Sequence, residues 1–208
     1  MTEKNIKIEL SDKFISKLIH STFGEKYNIS FVQSFVEWFI SSKYRQYKRL
    51  DKFIKDQVDN PTELVQQIAN AFKKYKDYDE RIIQILRFVR GYTRYVSDLE
   101  QYNTEEHWGS ANDTLISREG DCDNLNSLIH ILGLVSGIPS YLLYSVIGNV
   151  PEGGHYWLVY LSPKTGKLYD IDATYYYDST FIKNRRSAKK YKMWYVFNDK
   201  SIYRPIWD

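Results

Sequence analysis

The chain has 208 residues, of which 43% are hydrophobic, and its formal charge at pH 7 is +3. This composition is typical of a folded globular protein and argues against intrinsic disorder. The longest unbroken apolar run, Tyr156 to Leu161, is far shorter than the ~20 residues of a membrane helix. No apolar signal segment follows Met1, and the single cysteine excludes an intrachain disulfide and a thiolate-rich zinc site. We therefore expect a cytoplasmic protein with no metal, no cofactor and no insertion into a membrane.

The net positive charge is unevenly distributed, with a basic stretch near the C-terminus. Residues 183–192 contain six lysines and arginines and no acidic residue. Such a run is most often a solvated loop or helix face, and the alternative is contact with an anionic partner. The balanced charge of the remaining chain argues against a uniformly basic nucleic-acid-binding protein.

The first third of the chain has the periodicity of amphipathic helices. Apolar residues at helical spacing predict one helix over 31–40. Asn60 as N-cap, Pro61 at the first helical position and Glu63 as a capping-box acid predict the start of a second helix. A third helix is expected from about residue 79 to residue 98.

After residue 100 the pattern changes from helices to strands. One more helix is predicted to open at Gly120-Asp121-Cys122 and to end at Gly137. Apolar and β-branched runs then predict strands over 141–147, 156–161, 168–175 and 193–197. Helices followed by antiparallel strands predict an α+β fold, with 1–78 as an N-terminal helical region and 79–208 as the core domain.

The lone cysteine lies where a thiol can act as a nucleophile. Cys122 begins the predicted helix, so unpaired backbone N–H groups and the helix dipole favour its thiolate. The flanking Asp121 and Asp123 have the opposite effect, because they raise the thiol pKa unless a cation lies close. The alternative interpretation is that Cys122 is a small buried hydrophobic residue.

Four histidines are candidates for a catalytic base. His20 lies far upstream, and His130 lies about 12 Å along the helix axis from Cys122, too far for a direct hydrogen bond. His107 lies in a predicted loop and stays open as a candidate. His155 begins the most apolar strand, and the end of a strand can present a side chain to a cleft.

A hairpin after His155 brings an acid beside it. Ser162-Pro163-Lys164-Thr165 is a typical type I turn with proline in its preferred second position. With these four residues as the loop, strand pairing places His155 opposite Asp172, at a Cβ separation of about 4.5–5.5 Å. Asp170 lies two residues away on the same strand face and is the alternative acid.

Four segments in order resemble the signature of the transglutaminase-like cysteine peptidase superfamily. They are Trp108-Gly-Ser-Ala-Asn-Asp-Thr-Leu115, Gly120-Asp-Cys-Asp-Asn124, Gly154-His-Tyr-Trp157 and Asp172-Ala-Thr174. The resemblance covers about residues 80–174. It implies a papain-like α+β core in which the helix that carries the cysteine packs on an antiparallel sheet.

The same resemblance implies an enzyme activity and a triad. Cys122 would be the nucleophile, His155 the base and Asp172 the residue that orients the imidazole. The expected reaction is hydrolysis of an amide bond, peptide or isopeptide, through a thioester, with a protein or peptide as substrate. Two alternatives stay open: amine transfer to protein glutamine, which cross-links proteins, and a non-catalytic binding module with the same fold.

Three more residues are expected to bind substrate. Trp108 is predicted to form a wall of the cleft or to anchor the core, and Trp157 to line either the cleft or the core. Asp121, beside the nucleophile, is the third residue assigned to substrate binding.

Overall fold

The computed structural model describes residues 50–174, 182–184 and 192–203, and the side chains of 51 and 182–184 are not described. The helix predicted over 31–40 and most of the basic stretch at 183–192 therefore lie outside the described residues. Within these ranges the chain has an α+β fold, as predicted.

Six helices precede the main sheet in the described chain. They are α1 (Leu50–Asp59), α2 (Glu63–Phe72), α3 (Tyr78–Tyr92), α4 (Asp98–Tyr102), α5 (Ala111–Ser117) and α6 (Cys122–Val135). A 3-10 turn at Ser140–Leu142 leads into the sheet. The strands are β1 (Arg94–Tyr95), β2 (Glu119–Gly120), β3 (Leu143–Val150), β4 (Gly153–Leu161), β5 (Leu168–Ile171), β6 (Ile182–Asn184), β7 (Lys192–Phe197) and β8 (Ile202–Tyr203).

The main sheet has six antiparallel strands in the order β6-β5-β4-β3-β7-β8. The short strands β1 and β2 form a separate parallel pair just before α6. Helix α6 packs between the sheet and the other helices, and every residue from Asp123 to Leu134 is buried. The helix that carries the cysteine thus lies at the centre of the fold.

Strand β4 has buried residues on both of its faces. Tyr156, Leu158 and Tyr160 pack toward α6 in the main core, whereas Trp157 and Val159 belong to a second cluster on the far side of the sheet. This arrangement explains why the sequence of β4 is a continuous apolar run and does not alternate between apolar and polar residues.

Two predicted helix boundaries differ from the structure. Helix α2 has Thr62, not Asn60, as its N-cap, and the Thr62 hydroxyl accepts from the backbone N–H of Val65 at 3.4 Å. The third predicted helix ends at Tyr92 rather than near residue 98, because Thr93 is extended and the chain then enters β1.

The connection between β4 and β5 is two residues longer than predicted. It is closed by hydrogen bonds from the N–H of Gly166 to the Ser162 carbonyl (2.8 Å) and from the N–H of Ser162 to the Lys167 carbonyl (3.0 Å). Leu161 consequently pairs with Leu168, whereas the four-residue loop required a pair with Gly166. The predicted loop and register are therefore wrong.

This error leaves the face of the acid unchanged. Because side chains on a strand alternate with a period of two, a shift of two residues keeps each side chain on its original face. Asp172 directly follows Ile171, the last residue of β5, and remains on the same face as His155.

The helices on both sides of the predicted domain boundary share one core. Leu50 and Ile54 of α1 and Ala69 of α2 are almost fully buried in the same cluster as the apolar residues of α6. The boundary at residue 79 stays a prediction. Of the helices described, none is both long and apolar enough to cross a bilayer.

Candidate active site

The first turn of α6 presents the cysteine. Asp121 is the N-cap, its carboxylate accepts from the N–H of Asp123 at 3.0 Å, and the Asn124 side chain accepts from the N–H of Asp121 at 3.1 Å. A Cβ on Gly120 would lie 2.4 Å from the Cβ of Asn124, so only glycine fits there. The sequence Gly-Asp-Cys-Asp-Asn is therefore a helix start that fixes Cys122 at the first helical position.

The surroundings of the thiol favour its neutral form. Burial raises the pKa of the Cys122 thiol well above its ordinary value, and the carboxylates of Asp121 and Asp123 raise it further. The backbone N–H of Tyr156 donates to the sulfur and opposes this shift. The sulfur thus lies against the backbone of the residue that directly follows His155.

His155 and Asp172 form a buried pair. The imidazole Nε2 lies 2.7 Å from Oδ2 of Asp172, and both side chains are almost completely shielded from solvent. The other carboxylate oxygen accepts from the N–H of Thr174 at 2.9 Å. The indole of Trp157 stacks on the imidazole, with ring centroids 6.0 Å apart and an angle of 14° between the planes. The imidazole is therefore held both at one ring nitrogen and across one face.

The residues assigned to substrate binding are placed differently from one another. Trp108 is half-buried, packs edge-on against Tyr156 with centroids 5.7 Å apart, and donates from Nε1 to Glu106 at 2.7 Å. Trp157 is fully buried and donates from Nε1 to Asp170 at 3.1 Å. The structure thus places Trp157 in the core behind the imidazole and not on a cleft wall, and it uses Asp170 to hold that indole.

Two other histidines have contacts that differ from those of His155. His130 is fully buried on α6, its Nδ1 lies 2.5 Å from the Ser145 hydroxyl, and burial lowers its pKa to about 3. His107 stacks against Tyr102 with centroids 4.0 Å apart, and its backbone N–H donates to Asp98. His155 is the histidine whose neighbouring backbone contacts the sulfur.

An acidic cluster lies beside the cysteine. It consists of Asp98, Asp121 and Asp123, each of which has one carboxylate oxygen within 4.8 Å of an oxygen of the other two. Within the part of the chain that the structure describes, Oδ1 of Asp98 and Oδ1 of Asp123 are buried and have no hydrogen-bond partner. Gln101 lies three residues after Asp98 on α4, and its side-chain oxygen is likewise buried without a hydrogen-bond partner among the described residues.

Burial and mutual repulsion disfavour the charged forms of these carboxyl groups. Burial, and then the Asp121 carboxylate, raises the pKa of Asp98 to about 6. Burial, and then Asp121, also raises the pKa of Asp123 well above its ordinary value. Closely spaced oxygen ligands of this kind suit a hard divalent cation. The sequence shows the two acids that flank Cys122 but not Asp98, because only the packing of α4 brings it to them.

The comparisons with known proteins bear on the fold. No family model matches the chain, and no curated protein matches it. LapG of Legionella pneumophila is similar in structure, with a TM-score of 0.56 and 14% sequence identity over 86% of this chain and 88% of that chain. A calcium-bound structure of the same protein gives a TM-score of 0.50 with the same identity and the same shares of the two chains. A TGase crystal structure gives a TM-score of 0.43 at 14% identity over 89% of this chain and 53% of that one.

The chain has a transglutaminase-like fold, similar to that of LapG. The four signature segments predicted this fold, and within it they lie at α5, at the start of α6, at β4 and just after β5. At 14% identity the likeness is one of fold alone.

Proposed function

We propose that this protein is a cysteine hydrolase that cleaves an amide bond in a protein or peptide, with Cys122, His155 and Asp172 as its triad. The observation that carries the proposal is the 2.7 Å contact between His155 Nε2 and Asp172 Oδ2, next to a thiol at a helix N-terminus. An acid–imidazole pair of this kind sets the tautomer and orientation of a base.

The reaction follows from this arrangement. With its Nε2–H directed at Asp172, His155 would take the thiol proton at Nδ1 as the Cys122 sulfur attacks the carbonyl carbon. The backbone N–H of Cys122 and a neighbouring donor would stabilise the oxyanion. The imidazolium then gives its proton to the leaving amine, which leaves a thioester. Water, deprotonated by the same imidazole, hydrolyses the thioester and regenerates the thiol.

The raised pKa of the thiol makes the base important. A raised thiol pKa favours the neutral thiol, so in this proposal His155 removes the proton as the sulfur attacks and acts as a general base. This differs from a site in which a preformed thiolate waits for substrate.

The test uses the fact that Cys122 is the only cysteine in the chain. We expect the full chain to hydrolyse members of a peptide and isopeptide library and to form a covalent intermediate on Cys122 that mass spectrometry detects. Cys122→Ala should abolish turnover and leave the circular dichroism spectrum unchanged. Turnover equal to that of the wild type in this variant would refute the proposal.

Two outcomes would favour the alternative functions. Incorporation of a labelled primary amine into a glutamine peptide would indicate amine transfer, because hydrolysis gives no labelled adduct. A folded chain that shows neither turnover nor a covalent adduct on Cys122 with any member of the library would favour a binding module.

We also propose that Asp98, Asp121 and Asp123 hold a divalent cation. The support is the pair of buried carboxylate oxygens without described partners, since a buried carboxylate that stays ionised must be paired or bind a metal. Ca²⁺ is the first candidate because it prefers oxygen ligands and because one LapG structure is calcium-bound. This proposal departs from the metal-free protein expected from the sequence. In it, the three acids bind the ion and the ion neutralises their mutual repulsion.

A further inference from the structure

Asn126 connects three segments of the candidate site. It lies one helical turn after Cys122 on α6 and is fully buried. Its Nδ2 lies 2.8 Å from the Tyr156 carbonyl, 3.1 Å from the Cys122 carbonyl and 3.2 Å from Oδ1 of Asp172. Its Oδ1 accepts from the N–H of Ala173 at 2.8 Å. One side chain thus contacts the start of the helix, the strand after His155, and the segment that carries Asp172.

The surroundings fix the orientation of this amide. Three acceptors surround Nδ2 of Asn126, and one donor faces its Oδ1. If the amide were rotated by 180°, an oxygen would face two carbonyls and a carboxylate, and an NH₂ group would face the N–H of Ala173. Only the observed orientation satisfies both ends of the side chain.

The contacts of Asn126 lead to each member of the triad. On one side it donates to the carboxylate of Asp172, whose other oxygen contacts His155 Nε2. On the other side it holds the carbonyl of Tyr156, and the N–H of that residue donates to the Cys122 sulfur. Loss of this amide would leave Oδ1 of Asp172 with the Thr174 N–H as its remaining described donor, and it would remove the contacts that join the helix to the strand.

We propose that Asn126 is a positioning residue, which fixes the Asp172 carboxylate and, through it, the His155 imidazole relative to the Cys122 thiol. This inference rests on the proposed function, because positioning has a kinetic meaning only if the triad performs chemistry. Asn126 itself touches neither the scissile bond nor the reacting atoms. A residue of this kind affects turnover and not the binding of substrate.

The chain offers a matched control on the same turn. Ser127 is also buried and polar, and its hydroxyl donates within α6 to the Asn124 carbonyl at 3.3 Å. Ser127→Ala therefore removes a buried hydrogen bond from the same helix without touching the Asp172 carboxylate. Asn126→Ala tests the proposal directly, and Asn126→Asp keeps the volume of the side chain while it removes the amide donor.

The experiment measures kcat and KM on an amide substrate and, separately, the tautomer of His155 by ¹H–¹⁵N NMR of the imidazole. The His155 signals are assigned by their loss in His155→Gln. For Asn126→Ala and Asn126→Asp we expect kcat to fall about tenfold to hundredfold with KM little changed, since a small misplacement of a catalytic group has effects of this size. We also expect the Nε2–H tautomer to give way to a mixture. Ser127→Ala should keep the wild-type kcat and tautomer.

Each outcome of this experiment either supports the inference or overturns it. A folded Asn126 variant with wild-type kcat and an unchanged tautomer overturns the inference. So does an equal fall of kcat in Ser127→Ala, because the effect would then belong to the helix in general. If the wild type has no Cys122-dependent turnover, the proposed function fails, and the NMR measurement still decides whether Asn126 orients the imidazole. If Asn126→Ala does not fold, Asn126→Asp supplies the same comparison.

Discussion

The two halves of the candidate site are built in different ways. The helix start that carries Cys122 depends on contacts within five consecutive residues, Gly120 to Asn124. The strand half depends on a long-range pairing that brings Asp172 to His155, 17 residues away in sequence. The first half needs only local geometry, whereas the second needs the correct sheet. The comparison shows that a candidate nucleophile can be located from a short motif, whereas the contact between the candidate base and the candidate acid depends on the sheet.

The largest expected effect comes from breaking the strand half. Asp172→Asn should reduce kcat by about 10³- to 10⁴-fold, because an amide at this position can favour the wrong tautomer of the imidazole. Steady-state kinetics on an amide substrate measures the change. The matched control is Asp170→Asn, which keeps an acceptor oxygen for the Trp157 indole and should have a much smaller effect. Equal losses in the two variants would contradict the assignment of Asp172.

The helix half should respond to a divalent cation. At a Ca²⁺ concentration about 100 times its Kd, binding would stabilise the folded state by about 2.7 kcal/mol. For a chain of this size that corresponds to a rise in Tm of about 5–10 °C, measured by differential scanning fluorimetry. EDTA should reverse the rise, and Asp98→Asn or Asp123→Asn should weaken it. A Tm that is the same in Ca²⁺ and in EDTA would contradict the cation site.

Behind the site, a buried histidine joins α6 to the sheet, and its protonation should loosen that contact. His130 on α6 bonds to Ser145 on β3, and burial lowers the pKa of its imidazole to about 3. Unfolding lets this group take up a proton below its ordinary pKa of about 6.5, so its contribution to stability is present above pH 6.5 and is lost as the pH falls toward 3.

Chemical denaturation at several pH values tests this contribution. Between pH 6.5 and pH 5, the free energy of unfolding of the wild type should fall by about 2 kcal/mol more than that of His130→Gln. The difference between the two proteins isolates His130 from the carboxylates, which titrate in both. Parallel pH curves would show that His130 takes up its proton equally well in the folded state.

The helix half of the site could be predicted from the sequence because its signals are local. The start and end of α6 and the position of Cys122 at its first residue follow from a capping pattern and an apolar repeat. The sequence does not indicate that Asp98 or Asn126 belongs to the site. Asp98 reaches the cysteine only through the packing of α4, and an asparagine inside a helix looks like any polar residue until its partners are known.

The strand half could be predicted only in part. The predicted turn is two residues too short, because Gly166 and Lys167 belong to the connection and not to β5. The predicted face of the strand for Asp172 is nevertheless correct, because a shift of the register by an even number of residues preserves the alternation of side chains. An odd shift would have moved Asp172 to the other side of the sheet. A strand pairing inferred from a turn is therefore more reliable for the face than for the partner.

The smallest expected effect tests how far local signals can be trusted. The sequence favours Asn60 as the cap of α2, whereas the structure uses Thr62, whose hydroxyl accepts from the Val65 N–H and donates to Asn112 at 2.9 Å. Thr62→Ala should lower the free energy of unfolding by about 1 kcal/mol, a typical cost of losing an N-cap. Asn60→Ala should change it little, because Asn60 is exposed and lies outside the cap. Urea denaturation of the two variants decides between the two residues. A larger fall in the free energy of unfolding for Asn60→Ala would indicate that Asn60, as the sequence predicts, is the cap.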